Sequence, residues 1–217
     1  MTTTNLSDVV VPETMLSFSP QDHRPSDIYK LMVGSILPRP IAFVSTVDAD
    51  GIRNLAPFSF FTAVCSNPPT IVFCPAVRSS TAGQKDTLRN VVATGEFVVN
   101  IVSEDIVGQM NQTAAEVPPE IDEFELSGLT PVASLVITPP RVAESPVQME
   151  CKLRQVITIN DQPGGGNIVI GEVVRFHVRE DLFHDFRIDP GKLNAVGRMG
   201  GPTYSRTHDR FDLERPK

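Results

Sequence analysis

Between Val147 and Leu153 every odd position is apolar (Val147, Met149, Cys151, Leu153), and the residues between them are Gln148, Glu150 and Lys152. A period of two is the pleat of a half-buried β-strand, because successive side chains point to opposite faces. Ile157 and Ile159 keep the phase, Asn160 to Gly166 reads as a flexible turn, and Ile168 to Val178 reads as the returning partner. Gly171 inside that partner marks a bulge or a close approach by another segment. A strand pair of this length commits the chain to a sheet.

The first half supplies further strands. Residues 36–47 read as one strand, with Pro38 and Pro40 at its start, where a missing N–H is tolerated. Asp50-Gly51 is a hairpin signal, so the next strand returns through Leu55 to Thr62 and Val64. Asn67-Pro68-Pro69 breaks the chain before a strand over Thr70–Cys74, and the unalternating run Phe97–Val102 reads as a strand buried on both faces. Three short helices are expected: one from a Ser26 cap to Gly34, one over 87–94 between Asp86 and Gly95, and one from Ser103 to Thr113. None is placed to connect parallel strands, which argues against a doubly wound α/β fold. The expected fold is mainly β, a closed antiparallel barrel with peripheral helices. Residues 1–24 read as an arm, 25–217 as one domain, and the acidic, proline-bearing segment 116–131 as a mobile excursion with a short helical turn.

At 217 residues and 41% apolar, the chain is long enough for one substantial core. Its net charge of −7 argues against general nucleic-acid binding. No apolar run approaches the roughly 18–20 residues of a membrane span, and Met1–Asn5 lacks the pattern of a signal peptide, so a cytoplasmic location is expected. Cys65, Cys74 and Cys151 are too scattered for a disulfide framework or zinc site, and each lies in an apolar context that suits a buried thiol. The four histidines have no metal-ligand spacing, and no metal is expected. The chain has no G-x-G-x-x-G, G-x-x-x-x-G-K-[ST], G-x-S-x-G or H-E-x-x-H motif.

Against this acidic background Arg39, Arg53, Arg78, Lys85 and Arg89 fall within one stretch. A helix beginning at Thr87 presents unpaired N–H groups and the positive end of its dipole. Lys85 and Arg78 add charge there, and Thr87, Ser79, Ser80 and Thr81 add hydroxyls. Helix capping by Asp86 and Thr87 explains the same residues more plainly; Ser45, Thr46 and Ser59 nearby bring an anion site to equal weight. Asn54, Ala56, Pro57 and Ser59 form a second group, in which Pro57 fixes the backbone while Asn54 and Ser59 offer polar contacts to a ring edge. Phe58, Phe60 and Phe61 read either as aromatic surface or as core. Glu150 with Lys152 reads as a surface pair, and His177 as structurally satisfied. The residues by themselves stop at a β-barrel with an anion site.

An ordered series of motifs carries a resemblance further. Pro38-Arg39-Pro40-Ile41-Ala42, Asn54-Leu55-Ala56-Pro57-Phe58-Ser59-Phe60-Phe61, Asn67-Pro68-Pro69 and Lys85-Asp86-Thr87-Leu88-Arg89-Asn90 resemble the flavin reductase-like, FMN-binding split-barrel family of the flavoredoxin type. Gly95–Asn100, Glu150–Leu153, Gly171–Val174 and Gly197–Gly201 continue the match in order, so that it spans residues 18–215. The resemblance implies a Greek-key split barrel of six strands that dimerises and binds FMN, rather than FAD, at the dimer interface. It implies that Asn54, Ala56, Pro57 and Ser59 face the flavin ring and that Ser45, Thr46, Arg78, Lys85 and Thr87 surround the phosphate. Arg198 and Tyr204 would approach the flavin or close the site, and Arg39 would be partly structural. The implied activity passes hydride from NAD(P)H to FMN without a catalytic side chain, and electrons then go to a partner oxygenase or another acceptor protein. The alternative is an FMN-binding electron carrier with no pyridine nucleotide site.

Overall fold

In the computed structural model, which describes residues 14–77 and 83–216, seven strands form one antiparallel sheet. They are β1 (Ala42–Val47), β2 (Arg53–Phe58), β3 (Phe61–Ser66), β4 (Pro69–Phe73), β5 (Glu96–Ile101), β8 (Val147–Asn160) and β9 (Gly166–Val178), in the order β2-β1-β5-β8-β9-β4-β3. Three small pairs lie outside the sheet. These are β6 (Pro131–Val132) with β7 (Arg141–Val142), β10 (Phe183–His184) with β11 (Arg187–Ile188), and β12 (Val196–Arg198) with β13 (Tyr204–Arg206). The helices are α1 (Pro25–Ser35), α2 (Asp86–Thr94), α3 (Val107–Gln112), α4 (Glu123–Ser127) and α5 (Pro190–Leu193).

The expected single strand from Leu55 to Val64 is instead two. The chain bends at Ser59-Phe60, so that β2 pairs with β1 while β3 pairs with β4 at the far end of the sheet. Two strands consecutive in sequence thus occupy the two ends of the sheet and make the split of the barrel, with seven strands in place of six. Arg39 holds this bend. Buried itself, it donates to Ser59 Oγ at 3.3 Å and to the carbonyls of Val33, Ile36 and Met199 at 2.7–3.0 Å. The strand expected over 36–47 shortens to β1, because Pro38 and Pro40 interrupt its donors.

Alternation along β1 divides the core. Ala42 and Val44 face a cluster with Phe58, Phe73, Phe97 and Val169, while Ile41 and Phe43 face a second with Leu55, Met110, Phe124 and Val142. In the first cluster the Phe73 ring lies 5.1 Å from Phe58 and 5.3 Å from Phe97, centroid to centroid. Gly171 is a close approach, as expected: a Cβ there would lie 2.3 Å from Phe97 Cζ. The second cluster corrects the reading of 116–131 as a mobile excursion. Phe124 and Leu129 are core residues, and the Asp122 side chain caps α4 by accepting from Phe124 N at 2.8 Å. Two other caps shift: Arg24 and Lys85, not Ser26 and Asp86, occupy the N-cap positions of α1 and α2.

The period-two strand also holds a surprise. Val147 to Cys151 are all buried, polar residues included, because the 133–142 segment covers the second face. Glu150 is not a surface residue: it is fully buried and accepts from Leu135 N and Val136 N at 2.8 Å each. His177 Nε2 lies 2.6 Å from the same carboxylate. Burial pushes the Glu150 carboxyl up, but the two amides and His177 outweigh it and hold the group below the usual carboxylate range. The cysteines divide: Cys151 is buried and Cys74 half-buried, each thiol pushed up by burial, whereas Cys65 is exposed on β3.

Candidate functional site

Five of the residues singled out from the sequence line one cavity of about 220 Å³: Asn54, Ala56 and Pro57 from β2, and Lys85 and Thr87 from the start of α2. The third wall is the 113–117 segment together with Glu123 of α4. Each wall follows from local sequence. Pro57 removes one donor from the outer edge of β2, and Gly95 in the left-handed conformation (φ 73°) closes α2 at its other end. Phe124 anchors the third wall in the second core cluster.

A buried polar network runs behind the cavity. Thr87 Oγ1 donates to Asn54 Oδ1 at 2.7 Å, and Thr46 Oγ1 donates to the same oxygen at 3.3 Å. Asn90 Nδ2 donates to Thr46 Oγ1 at 3.1 Å, while Asn90 Oδ1 has no hydrogen-bond partner among the described residues. On the other side, Asn54 Nδ2 and Leu55 N both donate to Glu123 Oε2 at 3.0 Å. Glu123 is buried, and that burial pushes its carboxyl above the usual range despite these bonds; the Asp86 charge adds to the rise.

At the start of α2 the N-cap residue is Lys85, whose side chain makes no capping hydrogen bond. Asp86, next along, pairs with Arg89 at 2.7 Å. A wider depression of about 670 Å³ lies beside the cavity at Gly51, Arg53, Glu120, Asp122 and Glu125, where Arg53 pairs with Asp122 at 2.5 Å and with Glu125 at 3.5 Å.

Other expected residues lie elsewhere. Ser45 and Thr46 are neighbours on one strand and so point to opposite faces. Ser45 Oγ is fully buried, donating to Pro140 O at 2.5 Å and accepting from Asn100 Nδ2 at 3.3 Å. Thr46 sits in the network behind the cavity and Ser59 at the Arg39 bend. Arg198 stacks on Tyr204, its guanidinium carbon 4.5 Å from the ring centroid, and Tyr204 Oη donates to Asn111 Oδ1 at 3.0 Å. Ser45, Thr46, Ser59, Arg198 and Tyr204 do not line the cavity. Arg78, Ser79, Ser80 and Thr81 lie outside the described residues. Glu123, Thr113 and Val117 were not foreseen as part of the site; the one sequence signal was Phe124, a large apolar residue in an acidic stretch after a capping Asp122.

Comparison with known proteins agrees with this architecture. The family model described as flavin reductase like domain matches residues 33–192. The chain is similar to nitrilotriacetate monooxygenase component B from Bacillus cereus, with 42% identity and a TM-score of 0.88, covering 93% of this chain and 100% of that one. It is also similar to the Pseudomonas fluorescens 2-nitrobenzoate 2-nitroreductase, with 33% identity and a TM-score of 0.84, over 93% and 96% of the two chains. Flavoredoxin of Desulfovibrio vulgaris (Miyazaki F) is 26% identical with a TM-score of 0.69, over 82% and 91%.

Proposed function

The chain belongs to the flavin reductase-like domain family of flavin-related oxidoreductases, and from that premise we propose that it binds FMN and passes electrons from NAD(P)H to an acceptor. The observation that carries this reading is the cavity in which Asn54, Ala56 and Pro57 face Lys85 and the first turn of α2. Those residues fit the ligand. Lys85 and the first-turn amides of α2 would hold the phosphate, while Ala56 and Pro57 would give the ring a flat wall with Asn54 at its polar edge. Bound flavin would supply the two-electron chemistry, accepting hydride from the pyridine nucleotide.

The protein's share is position and electrostatics. Leu55 N is taken by Glu123 and Pro57 has no N–H, so the outer edge of β2 presents no free main-chain donor at either position. Lys85 is the cation among the described lining residues, opposed by the carboxylates of Asp86, Glu116 and Glu123. The anionic part of a ligand therefore belongs at the Lys85 end. At about 220 Å³ the cavity is smaller than the roughly 300–1,000 Å³ of a typical small-molecule site, which favours completion by a second copy in a homodimer. The exposed edge strand β3 leaves Thr62 to Ser66 available for such a contact. The partner that accepts the electrons is proposed to be an oxygenase component, in keeping with the similarity to a monooxygenase component B.

Purified protein should be yellow, or turn yellow with added FMN, and should oxidise NADH or NADPH in a flavin-dependent assay. The similarity to flavoredoxin supports a second reading, an FMN electron carrier without a pyridine nucleotide site. Protein that holds FMN but oxidises neither nucleotide selects that reading, and protein that binds no flavin overturns both. No helix among the described residues is long and apolar enough to cross a membrane.

A further inference from the structure

The 113–129 segment does not need Glu123 to stay in place. Phe124 is buried in the second core cluster, Asp122 caps α4 and pairs with Arg53, and Ser127 Oγ donates to Glu123 O at 2.7 Å. The Glu123 carboxyl nevertheless reaches into the cavity and takes two donors of β2 on one oxygen. Its hold on Asn54 Nδ2 turns Asn54 Oδ1 toward Thr87 and Thr46, so three elements meet through one amide.

We propose that Glu123 is a positioning residue of the flavin site, tying the 113–129 segment through Asn54 to both other walls and setting the electrostatic balance that an anionic ligand meets. The inference rests on the reading of this cavity as the flavin site. Among the described residues, the charged groups around Glu123 are Asp86 and Lys85 at the start of α2, Arg89 one turn on, Arg53 on β2, Asp48 in the β1–β2 turn, and Glu116 and Asp122 on its own segment. Asp86 pairs with Arg89 and Arg53 with Asp122, so ionisation of Glu123 adds a negative charge facing Lys85. With a carboxyl held above the usual range by burial, that ionisation falls at higher pH than for an exposed glutamate. A protonated Glu123 leaves Lys85 to the ligand's anion; an ionised one opposes it.

The test is titration of apo-protein with FMN and with riboflavin, which lacks the phosphate, by flavin fluorescence from about pH 5 to about pH 9. Wild type should bind FMN more weakly as pH rises, whereas riboflavin, which brings no phosphate to the Lys85 end, should show a nearly flat profile. Glu123→Gln keeps an acceptor for Asn54 Nδ2 and Leu55 N, and should bind within about threefold of the low-pH wild type with a flat profile. Glu123→Ala should bind about tenfold more weakly throughout. A Glu123→Gln profile that follows wild type, or a folded Glu123→Ala that binds as wild type does, overturns the proposal. Should Glu123→Ala fail to fold, the Glu123→Gln profile decides. Wild type that binds neither ligand at any pH overturns the flavin reading before any variant is compared.

Discussion

Glu150 and Glu123 are both buried carboxylates, each bridging the sheet to a covering segment, yet burial has opposite outcomes for them. Glu150 receives two backbone amides and His177 and is held below the usual carboxylate range. Glu123 receives one amide and one side-chain N–H, has the Asp86 carboxylate nearby, and is pushed above that range. Three donors against two, with a cation-capable neighbour in one case and an anion in the other, decide the sign. The first arrangement is a fixed anchor. The second is an acid lining the cavity proposed to take the flavin, where a shifted proton affinity would have a use.

The contrast is best broken at Glu150. Glu150→Ala leaves Leu135 N, Val136 N and His177 without their acceptor, and urea unfolding should show a loss of about 3–5 kcal/mol. Glu150→Gln should recover only part, since its NH₂ must face a donor; a loss under about 1 kcal/mol for Glu150→Ala would remove the distinction. Next in size is Lys85→Ala, expected to weaken FMN binding about tenfold and leave apo-protein stability nearly unchanged. Thr87→Ala differs from it: Thr87 is buried and bonded to Asn54, so apo-protein should lose about 1 kcal/mol in the same unfolding measurement. The smallest expected change is Glu123→Gln, which at neutral pH should leave stability within about 1 kcal/mol of wild type, on the stabilising side.

The pH profiles separate the two acids. Glu150 has a lowered folded pKa, so its contribution is present above the unfolded value near about 4.3 and is lost as pH falls through the folded value. Glu123 has a raised folded pKa, so its contribution is present below that unfolded value and is lost as pH rises through the folded value. Thermal midpoints across pH should therefore lose an acid-side slope in Glu150→Gln and a slope above the ordinary carboxylate range in Glu123→Gln.

Much of the sheet was legible because burial writes itself into hydrophobic runs: β1, β5, β8 and β9 stand where apolar runs predict them. The break between β2 and β3 was not, because Asn54 to Phe61 reads as uninterrupted strand and the bend depends on Arg39, distant in sequence. Glu150 misled for a related reason. Alternation tells which residues share a face, not whether a loop covers that face. At the site, Asn54, Ala56, Pro57, Lys85 and Thr87 were all named from residue chemistry and family resemblance, and the cavity gathers them. Ser45 was grouped with Thr46 against the pleat. Glu123 was hidden in a stretch whose acidity and prolines signal loop, while its contacts are set by a tertiary anchor at Phe124.

The bend at Ser59-Phe60 also bears on how the chain reaches its native state. β1–β2 and β8–β9 are hairpins that form from near neighbours, but β3 and β4 join the sheet only through β9, in pairings such as Thr70 with Glu172, roughly a hundred residues apart in the chain. The half of the barrel that begins just past the bend must therefore wait for the last long strand, and its wide loop closure places this protein among slow, topology-limited folders. During that wait the exposed edge of β3 stands open to pairing with other chains.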